Sequence, residues 1–239
     1  MLPAQPNQSL MNGLACLQAV VTADGPVGSR EVARQLGLEH TRVSRLLGTL
    51  CHLGFVERTE RRKFRPGAGI HVLSAQSLRG SGLLAAALPH MRALADEALT
   101  LALGVLWDRS ISYLVHARPA QPPDDAIGAH RLYPAEESIL GVALMAHVTD
   151  AEVRRRFSRP PRALAREAIA GFLEKVRRAR AEGVAIEETA PGTWSLAAVV
   201  GEPPVAAIAW AGARDKARLP ALGVRLKAAA AKIAADLCG

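Results

Sequence analysis

Aromatic side chains are scarce in this chain: they make up 4% of its 239 residues, whereas apolar residues make up 49%. Alanine and leucine take their place, and alanine-rich apolar stretches favour helices. Cysteine is also rare, since only Cys16, Cys51 and Cys238 are present and no two of them form a C-x-x-C pair. This pattern excludes the usual cysteine spacing of a zinc site and favours free thiols in a reducing compartment.

Long apolar runs are missing as well. No stretch reaches the ~18 uninterrupted apolar residues that a membrane span needs. The N-terminal segment MLPAQPNQSLMNG lacks the basic region and apolar run of a secretory signal. The sequence therefore predicts a cytoplasmic protein that does not enter a membrane.

The common catalytic motifs are also absent from the sequence. Its histidines show neither H-E-x-x-H nor H-x-x-E-H spacing, and Ser195 does not lie in a G-x-S-x-G elbow. No glycine-rich phosphate loop is present either. We therefore predict that the protein is not an enzyme and has no catalytic residues, no metal ligands and no cofactor.

What the chain does have is positive charge: its formal net charge is +8 and its sequence pI is about 10.1. A basic excess suits a polyanionic partner, because each phosphate that the protein contacts releases counterions. An arginine- and alanine-rich composition produces the same excess without any such partner. Charge alone therefore leaves both interpretations open.

Residues 29–66 combine a short helix, a tight turn, a second helix and a small β-hairpin, or wing. Residues 31–36 form the first predicted helix, and Gly37 can adopt the left-handed conformation that ends it. The second predicted helix covers residues 40–53, with apolar residues at helical spacing. This order is typical of a winged helix-turn-helix that binds DNA.

The polar face of the second helix carries short hydrogen-bonding side chains beside arginines, which suits insertion into a major groove. A solvated helix face would show the same residues. The context favours DNA, since the predicted wing is crowded with cations that repel one another unless an anion is near. The candidate DNA-contacting residues are Ser29, His40, Thr41, Arg42, Ser44, Arg45, Arg61, Arg62 and Lys63.

In the C-terminal part of the chain, short apolar runs separated by turn residues predict strand hairpins with helices between them. We therefore expect an α+β fold whose mainly antiparallel sheet is flanked by helices. The predicted strands include residues 101–106, 111–116, 194–200 and 205–211, and the predicted helices include residues 138–147, 166–182 and 219–237.

Four segments occur in an order and spacing that point to a known family. They are REVARQLGLEHTRVSRLLGTLCHLGFVER, PAEESILGVALMA, RARAEGVAIEE ahead of PGTWSLAAVV, and VAAIAWAG. Together they resemble the IclR family of bacterial transcriptional regulators over nearly the whole chain. The resemblance implies an N-terminal winged helix, a linker helix that drives dimerisation, and a C-terminal effector-binding domain of GAF-like fold.

With that resemblance, the domains are expected at residues 1–66 for the winged helix-turn-helix, 67–82 for the linker helix and 83–239 for the effector-binding or oligomerisation domain. The expected partners are double-stranded DNA, a small-molecule effector and further copies of the chain, as a homodimer or a dimer of dimers. The expected function is that of a repressor on a palindromic operator.

In the family, the effector lies between the sheet and the loop that enters the helix near residues 138–146. The resemblance places Ser195 where the family has a cysteine, and Ala209 and Ala211 where it has serines. These changes remove polar groups, so we expect a ligand less polar than glyoxylate- or pyruvate-like acids, or a degenerate pocket. Trp107, Tyr133, Trp194 and Trp210 are candidate aromatic walls. The candidate effector-contacting residues are Trp107, Tyr133, Glu137, Ser138, Ile139, Glu187, Trp194, Ser195, Ala209 and Ala211.

One alternative stays open at this point. The loss of polar groups is equally compatible with a DNA-binding protein whose C-terminal domain only oligomerises and binds no ligand.

Overall fold

The computed structural model describes residues 6–95, 99–128, 132–160 and 162–238. The chain forms two compact units, Met1–Ser81 and Gly82–Gly239. The predicted linker helix lies within the first unit. The division into three domains stays a prediction.

The first unit is helical with one small hairpin. Gly37 ends its second helix at a φ of 63°, where its N–H donates to the carbonyl groups of Ala33 and Arg34. Because this left-handed residue turns the chain sharply, the third helix starts only a few residues later. The elements are α1 Gln8–Val21, α2 Ser29–Leu36, α3 His40–His52, β1 Val56–Arg58, β2 Phe64–Pro66 and α4 Ala68–Gly80.

The core of the first unit lies between α1, α2 and α3. Val32, Val43 and Leu47 are completely buried there. Burial of each such side chain stabilises the folded state by roughly 1.5–3 kcal/mol. Helix α1 also carries exposed apolar side chains, since its leucines at positions 10 and 14 are 61% and 57% exposed.

Helix α4 has no buried residue within the first unit. Its apolar side chains Val72 and Leu73 are 59% and 53% exposed. A helix of about this length is marginal in water when nothing packs against it. Within the first unit, the apolar face of this helix therefore has no partner among the described residues.

The second unit contains an antiparallel sheet whose described strands have the order β5-β4-β3-β8-β7-β6. This confirms the predicted α+β class with a sheet flanked by helices. The elements are α5 Leu83–Leu94, β3 Thr100–Trp107, β4 Ser110–Ala117, β5 Tyr133–Pro134, α6 Ile139–Met145, α7 Asp150–Phe157, α8 Arg166–Glu182, β6 Ala185–Ala190, β7 Thr193–Val200, β8 Ala206–Ala213 and α9 Leu219–Cys238.

Helices cover both faces of this sheet. Along β8, Ile208 and Trp210 pack into the core formed with α5 and α9, whereas Ala207 and Ala209 pack into the core formed with α6, α7 and α8. Successive side chains of a strand point to opposite faces, so this alternation separates the two cores. We call them the α5/α9 face and the α6/α8 face.

Small residues let α6 lie close to its surroundings. A Cβ atom added at Gly141 would lie 2.0 Å from the carbonyl oxygen of Ala135, in the turn just before α6. One added at Gly104 of β3 would lie 2.9 Å from Leu140 Cδ1. The position of α6 over the sheet therefore depends on these glycines.

Within the described part of the chain, no helix is long and apolar enough to cross a membrane. The same residues contain no group of three or more His, Cys, Asp or Glu side chains that could hold a metal ion.

Replacing Gly141 by alanine is expected to destabilise the second unit by about 1–3 kcal/mol, because the new methyl group overlaps backbone that cannot move freely. Urea unfolding of the full-length protein measures this effect. Gly171→Ala is the matched control, since nothing lies within 4 Å of the new atom in α8 and alanine is the better helix former by up to about 1 kcal/mol. Equal stability of the two variants would contradict the close packing of α6.

Candidate DNA-binding surface and ligand-binding face

The polar face of α3 points to solvent because the apolar face of the same helix packs against the core of the first unit. Val43, Leu47 and Leu50 are buried against the rest of the first unit. The intervening side chains therefore face outward: Thr41, Arg42 and Arg45 are exposed and Ser44 is half-buried. The structure thus brings the candidate recognition residues together on the first two turns of one helix.

His40 links the two helices of the motif. Its Nε2 atom lies 3.0 Å from Ser29 Oγ at the start of α2 and 3.3 Å from Ser44 Oγ on α3. These contacts hold the first turn of α3 against the first turn of α2. Next to them, the hydroxyl of Thr41 donates to the carboxylate of Glu39, a residue that the sequence analysis did not select.

The wing is a tight hairpin. Lys63 N–H donates to Thr59 Oγ1 at 3.2 Å, and Arg62 adopts a left-handed φ of 57° at the tip. Two backbone hydrogen bonds of 2.9 and 2.8 Å join Val27 and Phe64. The wing is therefore attached to the segment that precedes α2.

The cations of the wing fall into two groups. Arg65 forms a 2.9 Å ion pair with Glu57, and the guanidinium of Arg58 lies 5.7 Å from the ring centre of Phe64. The three candidate residues Arg61, Arg62 and Lys63 are exposed, and their side chains have no ion-pair partner among the described residues. Their mutual repulsion leaves this tip suited to a polyanion.

In the second unit, several candidate effector residues share the α6/α8 face. The strand register aligns Ala211 with Ser195, and Ser195 with Glu187. Ala209 lies two residues before Ala211 on β8, in the core beside α6. Ser195 is 3% exposed and its hydroxyl lies 3.2 Å from Thr189 Oγ1.

Ser138 lies at the start of α6, where it is 3% exposed. Its Oγ atom is 3.1 Å from the hydroxyl of Tyr113 on β4, and burial raises the pKa of Tyr113 above its usual value. The ring of Tyr133 meets Tyr113 edge to face, with centres 6.3 Å apart. These three residues form a cluster that we call the tyrosine–serine cluster.

The remaining candidates lie at the edge of this face or in its core. Ile139 packs against the core beside α6, and Glu137 is exposed. Glu187 forms a 2.8 Å ion pair with Lys175 of α8. This pair reduces the negative charge that the carboxylate of Glu187 would otherwise present to an anionic ligand.

Three tryptophans do not join the tyrosine–serine cluster, contrary to their expected role as pocket walls. Trp194 and Trp210 lie on the α5/α9 face, where Lys216 and Arg225 each lie 5.1 Å from one of the rings. Trp107 is 53% exposed at the end of β3. The reason is the alternation of β-strands, which places Trp194 and the adjacent Ser195 on opposite faces.

Sequence reasoning missed three residues of the α6/α8 face: Tyr113, Thr189 and Lys175. Tyr113 lies in the predicted strand ISYLVH, and an aromatic residue that alternates with apolar ones was the available signal. The pairing of Lys175 with Glu187 joins a helix to a strand and had no local signal.

Comparisons with known proteins support this arrangement. Residues 9–60 match the model of the IclR helix-turn-helix domain. The acetate operon repressor of Salmonella typhimurium is 35% identical over 101 residues, which are 41% of this chain and 37% of that protein. The matched region thus spans little more than a third of the length of that curated relative.

Solved structures match over nearly the whole chain. An IclR family transcriptional regulator from Brucella abortus superposes with a TM-score of 0.77 at 21% identity, covering 98% of this chain and 96% of that one. An IclR homologue from Microbacterium hydrocarbonoxydans in complex with 4-hydroxybenzoate has a TM-score of 0.65 at 21% identity, covering 97% and 99%. Residues 9–60 therefore form a helix-turn-helix domain of the IclR type, and the chain along its length has the fold of these IclR family structures.

Proposed function

We propose that this protein is a transcriptional regulator that binds a palindromic operator as a dimer and acts as a repressor. The observation that carries the proposal is the exposed polar face of α3, together with three wing cations that have no ion-pair partner among the described residues. Since the proposed partner is chromosomal DNA, we expect the protein in the cytoplasm.

The two parts of this surface suit different parts of a duplex. Arg42 and Arg45 project from the first turns of α3, which is the part of a recognition helix that reaches base edges. Arginine contacts guanine through two hydrogen bonds, and each good pair discriminates by about 1–3 kcal/mol. The wing cations instead suit phosphates, which position a protein without specifying sequence.

Arg42→Ala and Arg45→Ala are each expected to weaken operator binding by about 1–3 kcal/mol. The operator is first selected from random duplexes by the wild-type protein, and binding is then measured by fluorescence anisotropy. Wild-type affinity in both variants would contradict the assignment of α3 as the recognition helix.

Substitutions in the wing are expected to act differently from those in α3. Replacing Arg61, Arg62 and Lys63 by glutamine should weaken binding to operator and to random DNA alike. It should also reduce the slope of the logarithm of the binding constant against the logarithm of the salt concentration by about one unit per lost phosphate contact. Arg214→Gln, an exposed arginine of the second unit, serves as a control for loss of one positive charge.

Dimerisation is supported by the apolar residues that the first unit leaves exposed. Leu10 and Leu14 on α1 and Val72 and Leu73 on α4 are all more than half exposed. A helix without a single buried residue gains its stability from a partner. We propose that a second copy of the chain covers these side chains.

Leu73→Asp is expected to shift the full-length protein from dimer to monomer, since a charge replaces apolar surface that the proposed dimer buries and weakens self-association by about tenfold or more. Sedimentation velocity measures the shift. Ser77→Asp, on an exposed position of the same helix, is the matched control. A wild-type monomer, or an unchanged dimer in the Leu73 variant, would refute the proposal.

We further propose that a small aromatic or weakly polar effector binds the α6/α8 face beside the tyrosine–serine cluster. The support is the hydroxyl pair of half-buried Tyr113 and buried Ser138, on the same face of the sheet as the alanines of β8. Such sites are mostly apolar with a few polar anchors. The ligand in the Microbacterium complex, 4-hydroxybenzoate, is a small aromatic molecule of this kind.

4-Hydroxybenzoate is expected to raise the melting temperature of the wild-type protein, and Ser138→Val is expected to remove most of that increase by breaking the hydroxyl pair. Differential scanning fluorimetry measures both. If 4-hydroxybenzoate and related aromatic acids leave the melting temperature unchanged, the alternative is favoured, in which the second unit only oligomerises. That alternative is supported by the way the hydroxyl groups of Ser195 and Thr189 pair with each other.

A further inference from the structure

A cavity lies on the α5/α9 face of the sheet, where α5 ends and β3 begins. Its floor is apolar and consists of Leu99, Leu101 and Ala117, which belong to the α5/α9 core. The cavity has a volume of about 390 Å³, within the range of small-molecule sites. We call it the α5/β3 cavity.

One wall of this cavity is a loop that its own hydrogen bonds hold in shape. The side chain of Gln121 accepts from the N–H of Arg118 at 3.2 Å and donates to the carbonyl of Asp125 at 3.0 Å. Ala120 between them adopts a left-handed φ of 64°, which costs a non-glycine residue free energy and persists only where the surroundings enforce it. Pro122 and Pro123 stiffen the same wall.

The two arginines that line the cavity differ in their partners. Arg92 donates two hydrogen bonds to Asp124, at 2.8 and 2.6 Å, and this contact lowers the pKa of the Asp124 carboxyl. The side chain of Arg118 has no hydrogen bond or ion pair with any residue that the structure describes. The rim therefore carries one paired guanidinium and one available guanidinium above an apolar floor.

We propose that the α5/β3 cavity binds a small monocarboxylate with a short aliphatic body. The carboxylate pairs with the guanidinium of Arg118, and the aliphatic part lies on the leucines and prolines. A guanidinium binds a carboxylate through two parallel hydrogen bonds, while the apolar lining disfavours phosphate and other fully hydrated anions. This site lies across the sheet from the tyrosine–serine cluster, so its ligand is distinct from the effector proposed above.

The test is isothermal titration calorimetry of the full-length protein with sodium hexanoate as the probe. Hexanoate is expected to bind, and 1-hexanol, which has the same chain without the charge, is expected to bind about tenfold more weakly or worse. Arg118→Gln should weaken hexanoate binding by about tenfold or more, whereas Arg118→Lys should retain part of it. Ala95→Phe fills the cavity while keeping Arg118, and is expected to abolish binding.

Two controls locate the site. Arg214→Gln removes an exposed arginine elsewhere in the unit, and Tyr113→Phe alters only the opposite face; both should bind hexanoate like the wild type. The proposal is overturned if the wild type does not bind hexanoate, if Arg118→Gln binds it equally well, or if Tyr113→Phe loses it. DNA is absent from the assay, so its result is independent of the proposed operator binding.

Discussion

Alternation of large and small side chains along β8 organises the second unit. Ile208 and Trp210 fill the α5/α9 core, while Ala207 and Ala209 leave room for α6 to approach the sheet. A shift by one residue in strand register would exchange these two faces. The tyrosine–serine cluster and the α5/β3 cavity both depend on this register, because each is built on one face only.

The positive charge of the chain is distributed unevenly by its ion pairs. In the second unit, Arg155 and Arg156 share Glu152 and lower the pKa of that carboxyl to about 2. Their charge is thereby offset locally. In the wing, Arg61 and Lys63 have no such partner among the described residues. The net charge of +8 is therefore not spread evenly over the surface. The wing tip is one place where cations can contact a polyanion.

Candidate residues that are close in sequence are also brought together by the structure. Residues Arg42 and Arg45 could be placed on one helix face because helical periodicity relates neighbours directly. The same rule for strands places Trp194 and Ser195 on opposite faces of the sheet, so the two side chains cannot line one pocket together. Tyr113 was missed because its partner Ser138 lies 25 residues away, beyond any local pattern.

The sequence by itself determined the helix-turn-helix, the α+β class and the position of most helices and strands. Spacing of apolar residues and the left-handed tendency of Gly37 are local properties of the chain. Only the tertiary structure decided which cations remain unpaired and which hydroxyl groups meet. Arg92 is paired by Asp124, whereas the side chain of Arg118 has no partner among the residues that the structure describes. Such differences arise because an ion pair depends on distances between segments that only packing brings together.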